Sequence, residues 1–212
     1  MHIAITGNIG AGKTTLASLL ARHYNWEVLY EAVDDNPYLA DFYNDMRRWA
    51  FNLQIYFLNS RFAQMRRVLT VAKEDHRSII QDRTIYEDAS IFARNLHQIG
   101  TLSDRDYQTY RNVFENMISL VHPPDLMIYL RADLPKLRRQ IRKRGRSFEK
   151  AISDDYLESL NKLYEEFVRT YRSGELLIID VNQLDYHERP DDFTMITQLI
   201  DERLIKFASR NT

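Results

Sequence analysis

Residues 7–14 read Gly7-Asn8-Ile9-Gly10-Ala11-Gly12-Lys13-Thr14, a G-x-x-x-x-G-K-T sequence whose chemistry is phosphate binding. Glycines at this spacing let consecutive backbone N–H groups turn inward around an anion, and the positive end of a following helix adds to the attraction. The pattern hands Lys13 to the β- and γ-phosphates of a nucleoside triphosphate and the Thr14 hydroxyl to Mg²⁺, with Thr15 carrying the loop into a helix. A chance glycine-rich turn would lack the flanks found here. Met1-His2-Ile3-Ala4-Ile5-Thr6 is apolar and β-branched, as a buried strand is, and residues 15–22 place apolar side chains at helical spacing.

Two more strand ends carry acids: the second candidate strand closes on Tyr30-Glu31 and the third on Gln81-Asp82-Arg83. Phosphoryl transfer needs a positioned nucleophile, a held Mg²⁺ and neutralised charge on the γ-phosphate. A carboxylate after the second strand suits a proton acceptor for a hydroxyl. One after the third suits Mg²⁺, directly or through water, beside Thr14. Singly, either acid is as readily a helix cap or a surface group; beside the phosphate loop they form a set. After the fourth strand runs a basic stretch, of which Lys136, Arg138 and Lys143 read as a solvated helix face. Arg142, Arg144 and Arg146, packed around Gly145, read instead as a short segment that closes over phosphates. Such a lid, at about 138–150, also excludes water and suppresses hydrolysis.

The elements that must hold these residues follow from periodicity. Strands are expected at 2–6, 26–30, 78–82, 125–131 and 176–181. Helices are expected near 13–23, 38–71, 86–98, 103–121, 134–144, 153–172 and 191–208. The stretch 38–71 reads as two helices, because its pattern changes around Arg47-Arg48-Trp49. Alternation of this kind predicts an α/β fold, a five-stranded parallel sheet of the P-loop kinase type with helices on both faces. Ligands then lie beyond the carboxyl ends of the strands.

Composition bounds the rest. The 212 residues suit one domain spanning 1–212, and 44% hydrophobic with 28% charged residues is ordinary for a globular protein. A net charge of −1 gives no global field toward nucleic acid, so no nucleic-acid partner is expected. The absence of cysteine excludes disulfides, zinc–thiolate sites and thiol catalysis. No apolar run approaches the roughly 18 residues of a membrane span, and the first strand leaves no room for a targeting peptide, which predicts a cytoplasmic location without membrane association.

Five segments in combination resemble the deoxyribonucleoside kinase family, and within it the bacterial deoxyadenosine/deoxyguanosine kinase branch. They are Gly7 to Thr14, Glu31-Ala32-Val33, Trp49-Ala50-Phe51-Asn52-Leu53-Gln54, Asp82-Arg83-Thr84-Ile85-Tyr86-Glu87-Asp88 and Arg144-Gly145-Arg146-Ser147-Phe148-Glu149. The likeness extends to about residue 182. It implies ATP-dependent phosphorylation of a deoxynucleoside 5′-hydroxyl, with Mg²⁺, in nucleotide salvage. By resemblance Glu31 is the general base, Arg83 steadies that base and the transferring phosphate beside Lys13, and Asp82 helps hold Mg²⁺. Gln54 pairs with the base edge, while Tyr43 and Glu149 contact the sugar 3′-hydroxyl. Arg61 and Asp88 bear on base choice and favour purines over thymine; a plain salt bridge between helices is compatible with that role. Asp180 and Asn182 lie where the family's adenine of ATP rests, though they read equally as ordinary turn residues, and family members are usually dimers built through helices, implying a homodimer.

Three positions depart from the family pattern. Ala32 replaces a proline after the base, Gln140 replaces the earliest lid arginine, and Phe57 fills a pocket position that is often small. A monophosphate kinase such as a thymidylate kinase is the alternative enzyme, but its acceptor phosphate calls for cations where Glu31 stands. A GTPase-like switch lacks support, since neither Asn-Lys-x-Asp nor Asp-x-x-Gly occurs at a strand end.

Overall fold

A computed structural model describes residues 1–31, 36–74 and 78–210. Five parallel strands, β1 (His2–Thr6), β2 (Glu27–Leu29), β3 (Ile79–Asp82), β4 (Leu126–Arg131) and β5 (Glu175–Asp180), form one sheet in the order β2-β3-β1-β4-β5. Each strand is short, and β1, β3 and most of β4 are buried along their length, as expected when both faces are covered. All five fall within one residue of the expected starts and ends.

Helices α1 (Lys13–Tyr24) and α9 (Pro190–Arg210) cover one face, packing Leu16, Leu20, Ile196 and Ile200 against Ile3, Ile5, Ile128 and Ile179. The other face meets α3 (Met46–Glu74) and α8 (Asp154–Thr170). In α8, Tyr156, Leu157, Leu160, Leu163, Tyr164 and Val168 make a single buried stripe at helical spacing. A further cluster joins α3 to α6 (Asp104–Ile118) through Leu58, Met65, Tyr110 and Phe114.

Sequence signals set most helix ends. Ser103 and Ser153 each accept a hydrogen bond at 3.1 Å from the backbone N–H three residues on, starting α6 and α8. The division of 38–71 falls earlier than the change of pattern at 47–49: α2 (Leu39–Asn44) and α3 part at Asp45, which is non-helical at φ −144°. There the Asp45 carboxylate accepts from the Arg48 N–H at 3.1 Å, so an aspartate cap decides the boundary. The helix expected at 86–98 also differs in kind. After α4 (Ile85–Glu87) the chain makes a π-helical stretch, Asp88–Ala93, before α5 (Arg94–Gln98). Beyond α7 (Leu134–Arg144) a 3₁₀ turn, Ser147–Ala151, follows Gly145, whose φ of 72° ends the helix.

Candidate active site

The phosphate loop joins β1 to α1. Gly12 caps α1 at φ 95°, and a Cβ there would collide with the Tyr186 hydroxyl, so glycine is required on both grounds. Asn8 ties the loop to α8: its Nδ2 donates to the Leu157 carbonyl at 2.9 Å and to Asn161 Oδ1 at 2.6 Å. Lys13 is buried, and its ammonium donates to the carbonyls of Gly7 at 2.8 Å and Asn8 at 3.0 Å. Burial, with Arg83 nearby, lowers its pKa to about 8. The Thr14 hydroxyl donates to Asp82 Oδ2 at 2.5 Å. Asp82 Oδ1 is buried without a hydrogen-bond partner among the described residues.

At the next strand ends a carboxylate is gripped by two arginines. Arg61, fully buried on α3, donates from Nη2 to Glu31 Oε1 at 2.6 Å, and its Nε lies 3.6 Å from Asp88 Oδ2. Arg83 approaches the same Glu31 oxygen, Nε to Oε1, at 3.1 Å. Burial alone would raise the Glu31 pKa, but Arg83 and Arg61 outweigh it and hold the carboxyl at about 2. Burial dominates at Asp88 and pushes it up to about 7 in spite of the same arginines. Asp82 is raised as well, by burial.

Arg83 has a left-handed backbone, φ 72°, a conformation that costs a non-glycine residue about 1–2 kcal/mol. Its surroundings over-determine it. The Arg83 N–H donates to the Ile5 carbonyl at 2.9 Å, its guanidinium lies 4.4 Å from the Phe92 ring centre, and Nη1 donates to the Tyr164 hydroxyl at 3.0 Å. That hydroxyl is in turn 2.8 Å from both the Gly7 carbonyl and Glu87 Oε2. Glu87, fully buried, also accepts from the Thr84 N–H at 2.9 Å. Strain held at such a junction is characteristic of functional sites.

These groups open on one cavity of about 720 Å³. Ile9, Gly10, Gly12, Lys13, Thr14 and Thr15 form its phosphate end; Tyr43, Gln54, Phe57, Asp88 and Phe92 form the other, with Glu31 and Arg83 between. Gln54 is buried with Oε1 unpartnered among the described residues, leaving an acceptor for a ligand. Tyr43 stacks on Phe148 with ring centres 5.8 Å apart. Gln140, Arg144, Arg146 and Glu149 roof the cavity. There Arg144 holds Glu149 through two contacts at 3.0 and 2.5 Å, and Arg146 lies 3.8 Å from it.

Most of the residues expected from the sequence therefore converge. Gly7, Asn8 and Ala11 shape the loop from behind, and Asp82 and Arg61 stand directly behind Thr14 and Glu31. Three more expected residues neither line the cavity nor stand behind a residue that does. Arg142 is exposed and turns its Nε to the Arg138 carbonyl at 3.3 Å. Asp180 and Asn182 build the turn after β5: Asp180 accepts from the Asn182 N–H at 2.9 Å, and Asn182 accepts from the Asp133 N–H at 2.8 Å. In their place Leu184, Asp185, Tyr186 and His187 reach the cavity. Ala32 and Val33 lie outside the described residues. Roles for Tyr164 and Glu87 were not foreseen; the one sequence signal at Glu87, the Thr84-to-Glu87 spacing, is that of a helix start and would mark it only as a cap.

A family profile described as deoxynucleoside kinase matches residues 3–206. A deoxyadenosine kinase of Dictyostelium discoideum is 47% identical over 185 residues, covering 87% of this chain and 73% of that protein. A deoxyadenosine/deoxycytidine kinase of Bacillus subtilis is 36% identical, covering 94% of this chain and 90% of its own length. The solved structure of a deoxyadenosine kinase from M. mycoides, with dCMP and a flexible dCDP bound, superposes with a TM-score of 0.83 at 32% identity. It covers 95% of this chain and 100% of that one. With a phosphate loop at one end of the cavity and an arginine-held carboxylate beside it, the chain belongs to the deoxynucleoside kinase family, phosphotransferases that phosphorylate a deoxynucleoside hydroxyl.

Proposed function

We propose that the chain transfers the γ-phosphate of ATP to the 5′-hydroxyl of a purine deoxynucleoside, deoxyadenosine or deoxyguanosine, giving the 5′-monophosphate. The observation that carries this reading is Glu31, held by Arg61 and Arg83 midway along the cavity between the phosphate loop and Gln54. Both arginines engage Oε1; among the described residues Oε2 has no hydrogen-bond partner, which leaves it to orient and accept the proton of a hydroxyl. The hydroxyl oxygen bonds to the γ-phosphorus as the bond to the ADP oxygen breaks, and the proton passes to Glu31 and on to water. A carboxylate with a pKa near 2 is a weak base, yet it suffices, because in a loose transition state the hydroxyl keeps its proton until late. Lys13, Arg83 and the lid arginines Arg144 and Arg146 supply positive charge to the transferring group. The donor base rests against Leu184, Tyr186 and His187.

The residues at the phosphate end fit Mg²⁺: Thr14 brings a hydroxyl and Asp82 a buried, unpartnered carboxylate oxygen. One carboxylate is enough for an ion that takes its remaining ligands from phosphates and water, and its charge would draw density from the phosphate oxygens. Tyr43 and Glu149 contact the sugar 3′-hydroxyl, and Gln54, Arg61 and Asp88 read the base. The purine reading agrees with relatives named for deoxyadenosine and, in Bacillus subtilis, deoxyguanosine. Residues 1–212 act as one catalytic unit with a lid at about 138–150. We place it in the cytoplasm as a homodimer; no helix among the described residues is long and apolar enough to cross a membrane. Initial rates with radiolabelled ATP and deoxyadenosine, deoxyguanosine, deoxycytidine and thymidine test the assignment. A thymidine preference overturns the roles of Arg61 and Asp88. Glu31→Gln should lower kcat by about 10²–10⁴ with ATP binding intact; unchanged turnover would remove Glu31 as the base.

A further inference from the structure

Glu31 is held at its carboxylate, but something must also hold the backbone from which it hangs. Pairing of β2 with β3 ends at Leu29 opposite Gln81, and Tyr30 is 45% exposed, so neither the sheet ladder nor packing fixes the segment. A run of side-chain hydrogen bonds does reach it. His2 Nε2 lies 2.9 Å from Gln81 Oε1, Gln81 Nε2 donates to Gln64 Oε1 at 3.1 Å, and Gln64 Nε2 donates to the Tyr30 carbonyl at 2.7 Å. The terminal carbonyl can only accept, and this orders every group behind it. Gln64 must turn its NH₂ to Tyr30, its oxygen must accept from Gln81, and Gln81 must offer its oxygen to His2. His2 then carries its proton on Nε2; burial pushes its pKa down to about 4, so the ring is neutral at working pH.

We propose that Gln64 is a positioning residue for Glu31, the last link of a directed His2–Gln81–Gln64 chain that pins the Tyr30 peptide plane to the middle of the sheet. His2 and Gln81 are buried at 6% and 0% exposure, so their polar groups are costly unless paired, and the pairing is spent on one carbonyl. Gln64 stands one helical turn after Arg61 on α3. One turn of helix thus grips both the Glu31 carboxylate and the carbonyl preceding Glu31. This inference rests on Glu31 being the base.

The test compares Gln64→Met, which keeps length but makes no hydrogen bond, with Gln64→Glu, which sets a carboxylate against the Tyr30 carbonyl. Gln64 is only partly buried, so both variants should fold, which thermal unfolding checks. At pH 8 Gln64→Met should lower kcat about tenfold with KM for ATP unchanged, and Gln64→Glu at least as much. The ordinary pKa of about 4.3 keeps the introduced carboxyl ionised at pH 5.5 as well, so the Gln64→Glu deficit should persist there. Ionisable groups around this chain are Arg61, Arg66 and Arg67 on α3, Glu27 in β2, Glu31 beyond it, Asp82 in β3, His2 in β1 and Asp88, which Arg61 meets at 3.6 Å. His2 at about 4 and Glu31 at about 2 stay unchanged over this range; Asp88 at about 7 titrates within it in wild type and variants alike, so each rate is taken relative to wild type at the same pH. A Gln64→Met kcat within twofold of wild type overturns the proposal, as does a Gln64→Glu kcat above that of Gln64→Met. Glu31→Gln measured alongside separates failure here from failure of the base assignment.

Discussion

Glu31 and Asp88 share the arginine Arg61 and are both buried, yet they stand at opposite ends of the carboxylate range: burial wins at Asp88, and the arginines win at Glu31. At about 7, Asp88 keeps a proton in the folded chain that it loses near 3.8 when unfolded. The fold therefore binds the extra proton between those values, and the contribution of Asp88 to stability declines as pH rises through that window. On the proposed role of Asp88, the same proton bears on base choice. In the proposed base-reading role, an ionised Asp88 would accept from the exocyclic amine of adenine, and a protonated one would donate to the O6 of guanine. The charged groups that act on it are Arg61 from α3, Arg83 after β3, and Glu87 and Glu31, with Tyr110 of α6 close by. The ratio of kcat/KM for deoxyadenosine to that for deoxyguanosine should rise from pH 6 to pH 8, and should be flat in Asp88→Asn. A flat ratio in the wild type would separate Asp88 from base choice.

At the scale of elements, the site is a junction of β1, α4 and α8, and Tyr164 is where they meet. Its hydroxyl accepts from Arg83 and has one proton to share between the Gly7 carbonyl and Glu87. Tyr164→Phe would leave these buried groups short of a partner, a loss of about 1–3 kcal/mol in stability by thermal or denaturant unfolding. Because Arg83 is held through the same hydroxyl, kcat should fall as well, and by more than the KM for either substrate changes. Wild-type kinetics in a destabilised variant would make Tyr164 a packing residue alone. No local pattern announced this residue: it sits in the apolar stripe of α8, where an aromatic reads as core. Asp45 shows the same limit at a boundary, since a capping aspartate among polar and aromatic residues weighs less in a periodicity count than the change of pattern beyond it. The π-helical turn that points Asp88 and Phe92 toward the cavity is likewise a product of tertiary packing.

Across the whole molecule, the sheet and the phosphate end were legible because they are written locally: buried strands as apolar runs, and the loop as glycines next to Lys13 and Thr14. The acceptor end could be read only by resemblance, since Tyr43, Gln54, Asp88 and Glu149 come from four separate elements and share no spacing. Arg144 and Arg146 are legible as lid residues, but not their attachment to Glu149. If that turn closes over phosphates, hydrogen exchange of peptides spanning 144–151 should slow when ATP is added with an unreactive deoxynucleoside. Unchanged exchange would mean a fixed roof. The strand order β2-β3-β1-β4-β5 has a last consequence. On the proposed roles, the base-reading residues Gln54 and Asp88, Glu31 and Arg83 all follow β2 or β3, whereas the 144–151 turn and the 184–187 loop follow β4 and β5, and β1 with its phosphate loop is the seam between them. By the same assignment, choice of the nucleoside base and use of ATP are thereby written on two halves, with the sugar held between them by Tyr43 and Glu149. Exchanging the segment 26–98 for that of a relative should re-aim the enzyme at another nucleoside while its use of ATP stays as it was.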